Sequence, residues 1–194
     1  MSAAPLALLA GRGALPGLVV AAAEAGGRGV LVCGLTDYDA DLPRVDVPFR
    51  LETLGTLLGE LKRRGVREVC LAGAVQRPRL DPAAIDAATA PLVEKVVGSL
   101  SAQGDDGALR VLLSILEEAG FAVRGAADLV PGLLPEEGVL TRARPGDAHG
   151  RDAGRGAAVV AALGRADVGQ ACVVRAGQAV ALEALPGTDW MLES

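Results

Sequence analysis

Aromatic side chains make up only 2% of the 194 residues, which removes the stacking platforms on which single-stranded nucleic acid is usually held. Histidine occurs once, as His149, so histidine metal clusters and two-histidine mechanisms are excluded. The three cysteines, Cys33, Cys70 and Cys172, lie far apart in apolar, β-like runs without CxxC spacing. That pattern predicts core thiols in a reducing compartment rather than a disulfide framework or a zinc site. Basic charge is also short: a net charge of -5 and a pI near 5.0 argue against nucleic acid or an anionic membrane as the main partner. No uninterrupted apolar run reaches the ~18 residues of a membrane span, and Ser2 to Ala10 carries no charge ahead of its short apolar run, unlike a signal peptide. A cytoplasmic location is expected. GxSxG, Walker A and HExxH patterns are missing, which removes the α/β-hydrolase, P-loop and zincin readings.

Present instead are Ala, Val and Leu in quantity, within a hydrophobic share of 51%, punctuated by 26 glycines. This composition suits α/β layers around a sizeable core. Leu6 to Ala10 reads as a strand buried on both faces, and Leu15, Leu18, Val19 and Ala22 as one side of a helix that Gly26-Gly27 ends. With a second strand at Gly29 to Gly34 the unit is βαβ, hence parallel and right-handed. Leu54, Leu57, Leu58 and Leu61 mark a second helix, and Val69 to Ala72 a third strand. A helix is expected over Ala83 to Ala88 behind an Asp81-Pro82 start, with further helical material from Pro91 to about Leu100. Another helix should run through Leu109, Val111, Leu112, Ile115 and Leu116 to Gly120, followed by a strand at Phe121 to Val123. Proline and glycine become dense from Pro131 to Pro145, and Thr141 to Arg155 reads as a polar loop carrying His149. Beyond it a helix (Ala157 to Leu163) and a hairpin (Ala171 to Arg175, Ala179 to Ala184) are predicted.

Two strands thus end in glycine loops, and in an open parallel sheet such loops face one crevice. Gly11-Arg12-Gly13 allows close backbone approach and suits an anion at the helix start. The turn departs from GxGxxG at Pro16, which lowers the dinucleotide reading. Asp105 and Asp106, beside Gly104, fit Mg²⁺ binding, water orientation or a sugar hydroxyl, and equally fit helix capping. Arg77 fits a phosphate or a solvated surface. Asp167-Val-Gly-Gln170 and Gly187-Thr188-Asp189 flank the hairpin and fit sugar or metal–phosphate contacts as well as ordinary turns.

Five motifs occur in order: Gly11-x-Gly13-x-Leu15-Pro16, Ala72-Gly73-x-Val75-x-Arg77-Pro78, Gly104-Asp105-Asp106-x-x-Leu109-Arg110, Asp167-x-Gly169-Gln170-x-x-Val173-Val174 and Glu183-Ala184-x-x-Gly187-Thr188-Asp189. Together they resemble the LpxI-type UDP-2,3-diacylglucosamine pyrophosphatases of lipid A biosynthesis, from about Leu6 to Leu192. The resemblance implies a Rossmann-like parallel sheet with helices on both faces over residues 1–133. A smaller α/β domain follows over 134–194, truncated relative to the family. The implied reaction is Mg²⁺-dependent hydrolysis of the substrate pyrophosphate to UMP and 2,3-diacylglucosamine 1-phosphate. Asp105, Asp106 and Asp189 are the implied catalytic residues, with Asp105 and Asp106 on the metal. Gly11, Gly13, Ala14, Leu15, Gly73, Ala74, Val75, Gln76, Arg77, Gln170 and Thr188 would line an interdomain substrate site. Ala74 departs from the polar residue many members carry there. The implied partner is a nucleotide-sugar lipid, met by transient contact with the inner-membrane surface, and a homo-oligomer is left open. The family continues past the Gly187-Thr188-Asp189 motif into a segment with an activity-critical aspartate that has no counterpart before Ser194. A non-catalytic or truncated relative that binds a UDP-sugar or acyl-sugar phosphate therefore stands as the alternative.

Overall fold

The computed structural model describes residues 4–36, 44–75, 80–93 and 105–194, with the side chains of Asp105, Asp106 and Ala108 excepted. The chain divides into two compact units, Met1–Ser101 with Ala108–Pro135, and Ala102–Gly107 with Glu136–Ser194.

In the first unit, Leu6–Ala10 (β1) is buried at every position, as its unbroken apolar run requires of a central parallel strand. Leu15–Ala25 (α1), Val30–Leu35 (β2), Val47–Phe49 (β3), Leu54–Arg63 (α2), Glu68–Ala72 (β4), Asp105–Glu118 (α3, whose first three residues are assigned to the second unit), Ala122–Arg124 (β5) and Ala126–Leu129 (α4) follow. Five parallel strands lie in the order β3-β2-β1-β4-β5. Alternation along β1 divides the core between two faces. Ala7 and Leu9 pack with Leu54, Leu57, Leu58 and Leu61 of α2 and with Ile115 and Leu116 of α3. Leu6, Leu8 and Ala10 pack with Val19 and Ala23 of α1, backed by Ala126 and Leu129 of α4. The expected α/β class, with helices on both faces of a parallel sheet, is what the chain forms.

Some elements differ from expectation. β3 lies where no strand was predicted; its Pro48 is tolerated because β3 is an edge strand. Asp46 prepares that pairing, its carboxylate accepting the Val32 N–H at 2.9 Å and its own N–H donating to the Val32 carbonyl at 2.9 Å. Asp81 caps as expected, accepting the Ala83 N–H at 2.9 Å. The helix does not continue, though: Pro82–Ala84 is a single 3-10 turn, and Ile85 has extended backbone. A second 3-10 turn covers Ala90–Leu92; residues 94–100 of the expected helical stretch lie outside the described residues.

The second unit holds Asp147–Ala166 (α5), an antiparallel hairpin of Cys172–Arg175 (β6) and Gln178–Leu182 (β7), and Thr188–Glu193 (α6). α5 begins ten residues before the predicted start, so His149 is helical rather than in a loop. It closes the helix end by accepting the Gly146 N–H on Nδ1 at 3.0 Å. Gly150, Gly154 and Gly156 had hidden this turn, since glycine weakens an isolated helix. Tertiary bonds offset that: the Asp152 carboxylate accepts the Ala176 and Gly177 N–H groups of the hairpin turn at 3.0 and 2.7 Å. Cys33 and Cys70 are buried core thiols as read, while Cys172 is only partly covered. Burial, with the Asp46 carboxylate nearby, pushes the Cys33 thiol up to about 12.

Candidate functional site

Strand order reverses between β1 and β4, and their two carboxyl-end loops meet there. Gly11 donates its N–H to the Ala72 carbonyl at 2.8 Å, and Arg12 and Ala74 exchange N–H···O bonds of 2.9 Å each. The approach is so close that a Cβ on Gly11 would stand 2.5 Å from the Ala74 carbonyl oxygen. One on Gly73 would stand 2.7 Å from that of Arg12. Gly73 and Gly13 both have φ of +97°, a backbone region open to glycine and strained for other residues. Gly11 and Gly73 are therefore required by the meeting of the loops, whereas Gly13 has nothing within 4 Å of an added Cβ and turns the chain into α1. Ala14 flanks that helix with no side-chain cap, and Pro16 occupies its first turn. The structure thus brings Gly11, Gly13, Ala14, Leu15, Gly73, Ala74 and Val75 together at one rim of the sheet. Gln76 and Arg77 lie outside the described residues.

In the second unit one carboxylate joins two motifs. Glu183 accepts the Gln170 N–H on Oε2 at 2.7 Å and the Thr188 hydroxyl on Oε1 at 2.6 Å. Gly169 is pressed against it, an added Cβ standing 2.2 Å from the Glu183 carbonyl oxygen. The Thr188 hydroxyl, followed by the Gln170 N–H, holds the Glu183 carboxyl below the usual carboxylate range. Gln170 and Thr188 are thus neighbours through Glu183, and Asp189 is exposed in the first turn of α6. Glu183 was not among the candidates; its only signal was its place five residues before Thr188 in a shared motif.

Asp105 and Asp106 open α3; their side chains are not among those described. Among the described residues, no three His, Cys, Asp or Glu side chains converge into a metal-sized group.

An open parallel sheet in this order, with its rim loops joined at the reversal point, defines an α/β domain of the Rossmann-like class. The sequence models for the LpxI N-terminal and C-terminal domains match residues 5–133 and 136–194. The chain belongs to the LpxI family. A relative from Caulobacter vibrioides, UDP-2,3-diacylglucosamine pyrophosphatase LpxI, is 34% identical over 191 residues, covering 96% of this chain and 67% of that protein. A GalE-like L-threonine dehydrogenase from Cupriavidus necator in its holo form aligns at a TM-score of 0.33 and 17% identity, over 61% of this chain and 36% of that one. Similarity at that level carries no argument.

Proposed function

We propose that the protein hydrolyses the pyrophosphate of UDP-2,3-diacylglucosamine to UMP and 2,3-diacylglucosamine 1-phosphate. The observation that carries this reading is the Caulobacter relative of that name, aligned over 96% of the chain. Pyrophosphate cleavage requires neutralised phosphate charge, an in-line water and a stabilised leaving group. Mg²⁺, bound through Asp105 and Asp106, would supply charge neutralisation. The rim formed by Gly11 to Leu15 and Gly73 to Val75 supports the nucleotide end of the reading. Gly13 and Gly73 are exposed and leave backbone rather than side chains at the surface, and the first turn of α1 presents N–H groups that no preceding helical turn can use. Thr188 and Gln170, set by Glu183, are the polar contacts proposed for the sugar phosphate, with Asp189 beside them as the third carboxylate.

A diacylated substrate resides in a bilayer, so the protein is proposed to work at the cytoplasmic face of the inner membrane in transient contact. No helix among the described residues is long and apolar enough to cross a membrane. The test is incubation of the chain with UDP-2,3-diacylglucosamine in detergent micelles with Mg²⁺. Release of UMP with matched diacylglucosamine 1-phosphate supports the reading, and unchanged substrate opposes it.

A further inference from the structure

We infer that Glu52 is a positioning residue for the loop that leaves β4, its buried carboxylate acting with Thr89 to fasten residues 80–92 onto the first turn of α2. The inference rests on the reading that the Gly73–Val75 turn faces substrate.

Glu52 and Thr89 are each 3% exposed, the polar side chains buried most deeply among the described residues. A buried carboxylate is costly unless paired and hydrogen-bonded, and this one is both. Its Oε1 accepts the Asp81 N–H at 2.8 Å, and Arg50 Nε lies 3.3 Å from Oε2. Burial pushes the Glu52 carboxyl up, but the Asp81 N–H and the Arg50 guanidinium outweigh it and hold the group below the ordinary range. It is a carboxylate at neutral pH. The Glu52 backbone carbonyl accepts the Asp86 N–H at 3.0 Å, so both ends of the residue bind the same segment.

Thr89 completes the fastening. Helix starts are ordinarily capped by the residue just before them. Thr53, in that place, instead exchanges hydrogen bonds with the Arg50 backbone. The Gly55 N–H is taken by Thr89 Oγ1 at 2.8 Å, from 34 residues further along the chain. Gly55 admits this approach because it lacks a Cβ, which would stand 2.2 Å from the Ala88 carbonyl oxygen. Asp86 adds bonds from the Thr56 hydroxyl and the Thr89 N–H.

The consequence for the site is one of connectivity. The chain leaving β4 is held at Ala74 by its bridge to Arg12, and held again at Asp81 by Glu52. Because the chain is continuous from Val75 to Asp81, a fastening released at Asp81 gives the Gly73–Val75 turn a freer chain behind it.

The test compares the whole chain with Glu52→Ala and Glu52→Gln, using UMP release and amide hydrogen exchange at a temperature where all three are folded. Glu52→Ala is expected to lower kcat/KM by about ten- to a hundredfold, mainly by raising KM. Exchange should rise over residues 80–92 and at Gly73 to Val75 while β1 and Leu57 to Leu61 stay protected. Glu52→Gln keeps an acceptor for the Asp81 N–H and should recover most of the loss. Unchanged kinetics in Glu52→Ala, a uniform rise in exchange across the sheet, or no recovery in Glu52→Gln overturns the inference. If Glu52→Ala does not fold, Thr89→Val is read in the same way. A wild-type chain that releases no UMP instead refutes the proposed function, and the exchange pattern then decides the fastening by itself: local loosening supports it and global loosening overturns it.

Discussion

Replacing Gly11, Gly13 and Gly73 one at a time with alanine separates the two reasons a glycine can be needed at the rim of this sheet. Gly13 has φ of +97° and open space around an added Cβ, so Gly13→Ala carries only backbone strain, about 1–2 kcal/mol. Gly11 lies outside the positive-φ region, but its Cβ would stand 2.5 Å from the Ala74 carbonyl oxygen. Gly11→Ala must push the two loops apart, at about 1–3 kcal/mol for the overpacking and about 1 kcal/mol for each Arg12–Ala74 bond lost. Gly73 combines φ of +97° with a Cβ 2.7 Å from the Arg12 carbonyl oxygen, so Gly73→Ala should be the worst, at about 3–6 kcal/mol. Urea unfolding followed by far-ultraviolet circular dichroism reads the order, and in Tm each kcal/mol is worth roughly 2–4 °C for a chain of this size. If Gly11→Ala matches wild type within about 0.5 kcal/mol, or Gly73→Ala is no worse than Gly13→Ala, the loops do not meet as described and the argument for the rim fails.

Other outcomes are expected from named groups. The Glu52 and Glu183 carboxyls are held below their ordinary range in the folded chain. The stability they add is present above the unfolded value near 4.3 and is lost as pH falls through the folded value. Urea midpoints should therefore drop below about pH 4, and less steeply in Glu52→Gln; an identical slope in that variant refutes the assignment. Asp152→Ala removes the acceptor for the Ala176 and Gly177 N–H groups, and should destabilise the hairpin by about 1–3 kcal/mol, seen as faster exchange of those two amides. His149→Ala should fray the start of α5 and lower helical ellipticity, a cap being worth about 1 kcal/mol; unchanged ellipticity and exchange at residues 147–150 would count against it. Chelation by EDTA should abolish UMP release and Mg²⁺ restore it, whereas activity retained in EDTA would remove Asp105 and Asp106 from the proposed metal role.

What could be read from the sequence depended on how locally each element is specified. β1 was visible because Leu6 to Ala10 is an unbroken apolar run, and α2 because its four leucines repeat at helical spacing. β3 was not, since three residues with Pro48 in the middle form a strand only by pairing with β2 at the edge. The start of α5 was hidden because its glycines oppose helix and its support comes from the hairpin turn, beyond any local window. α6 was missed for a similar reason, its only deeply buried side chain being Met191. At the site, spacing pointed to Gly11, Gly13 and Gly73, and the structure adds that two of these three glycines serve the contact between loops. Glu52 and Glu183 could not be chosen from sequence, because each acts through backbone N–H groups that only folding brings near: Asp81 for one, Gln170 for the other.

The most direct test of the central claim is the product of the reaction itself. The chain is incubated with UDP-2,3-diacylglucosamine and Mg²⁺ and the mixture is resolved by mass spectrometry. UMP and 2,3-diacylglucosamine 1-phosphate in equal amounts are predicted, with the yield falling in Asp105→Asn. Intact substrate, or cleavage to UDP and the free diacylated sugar, would contradict it.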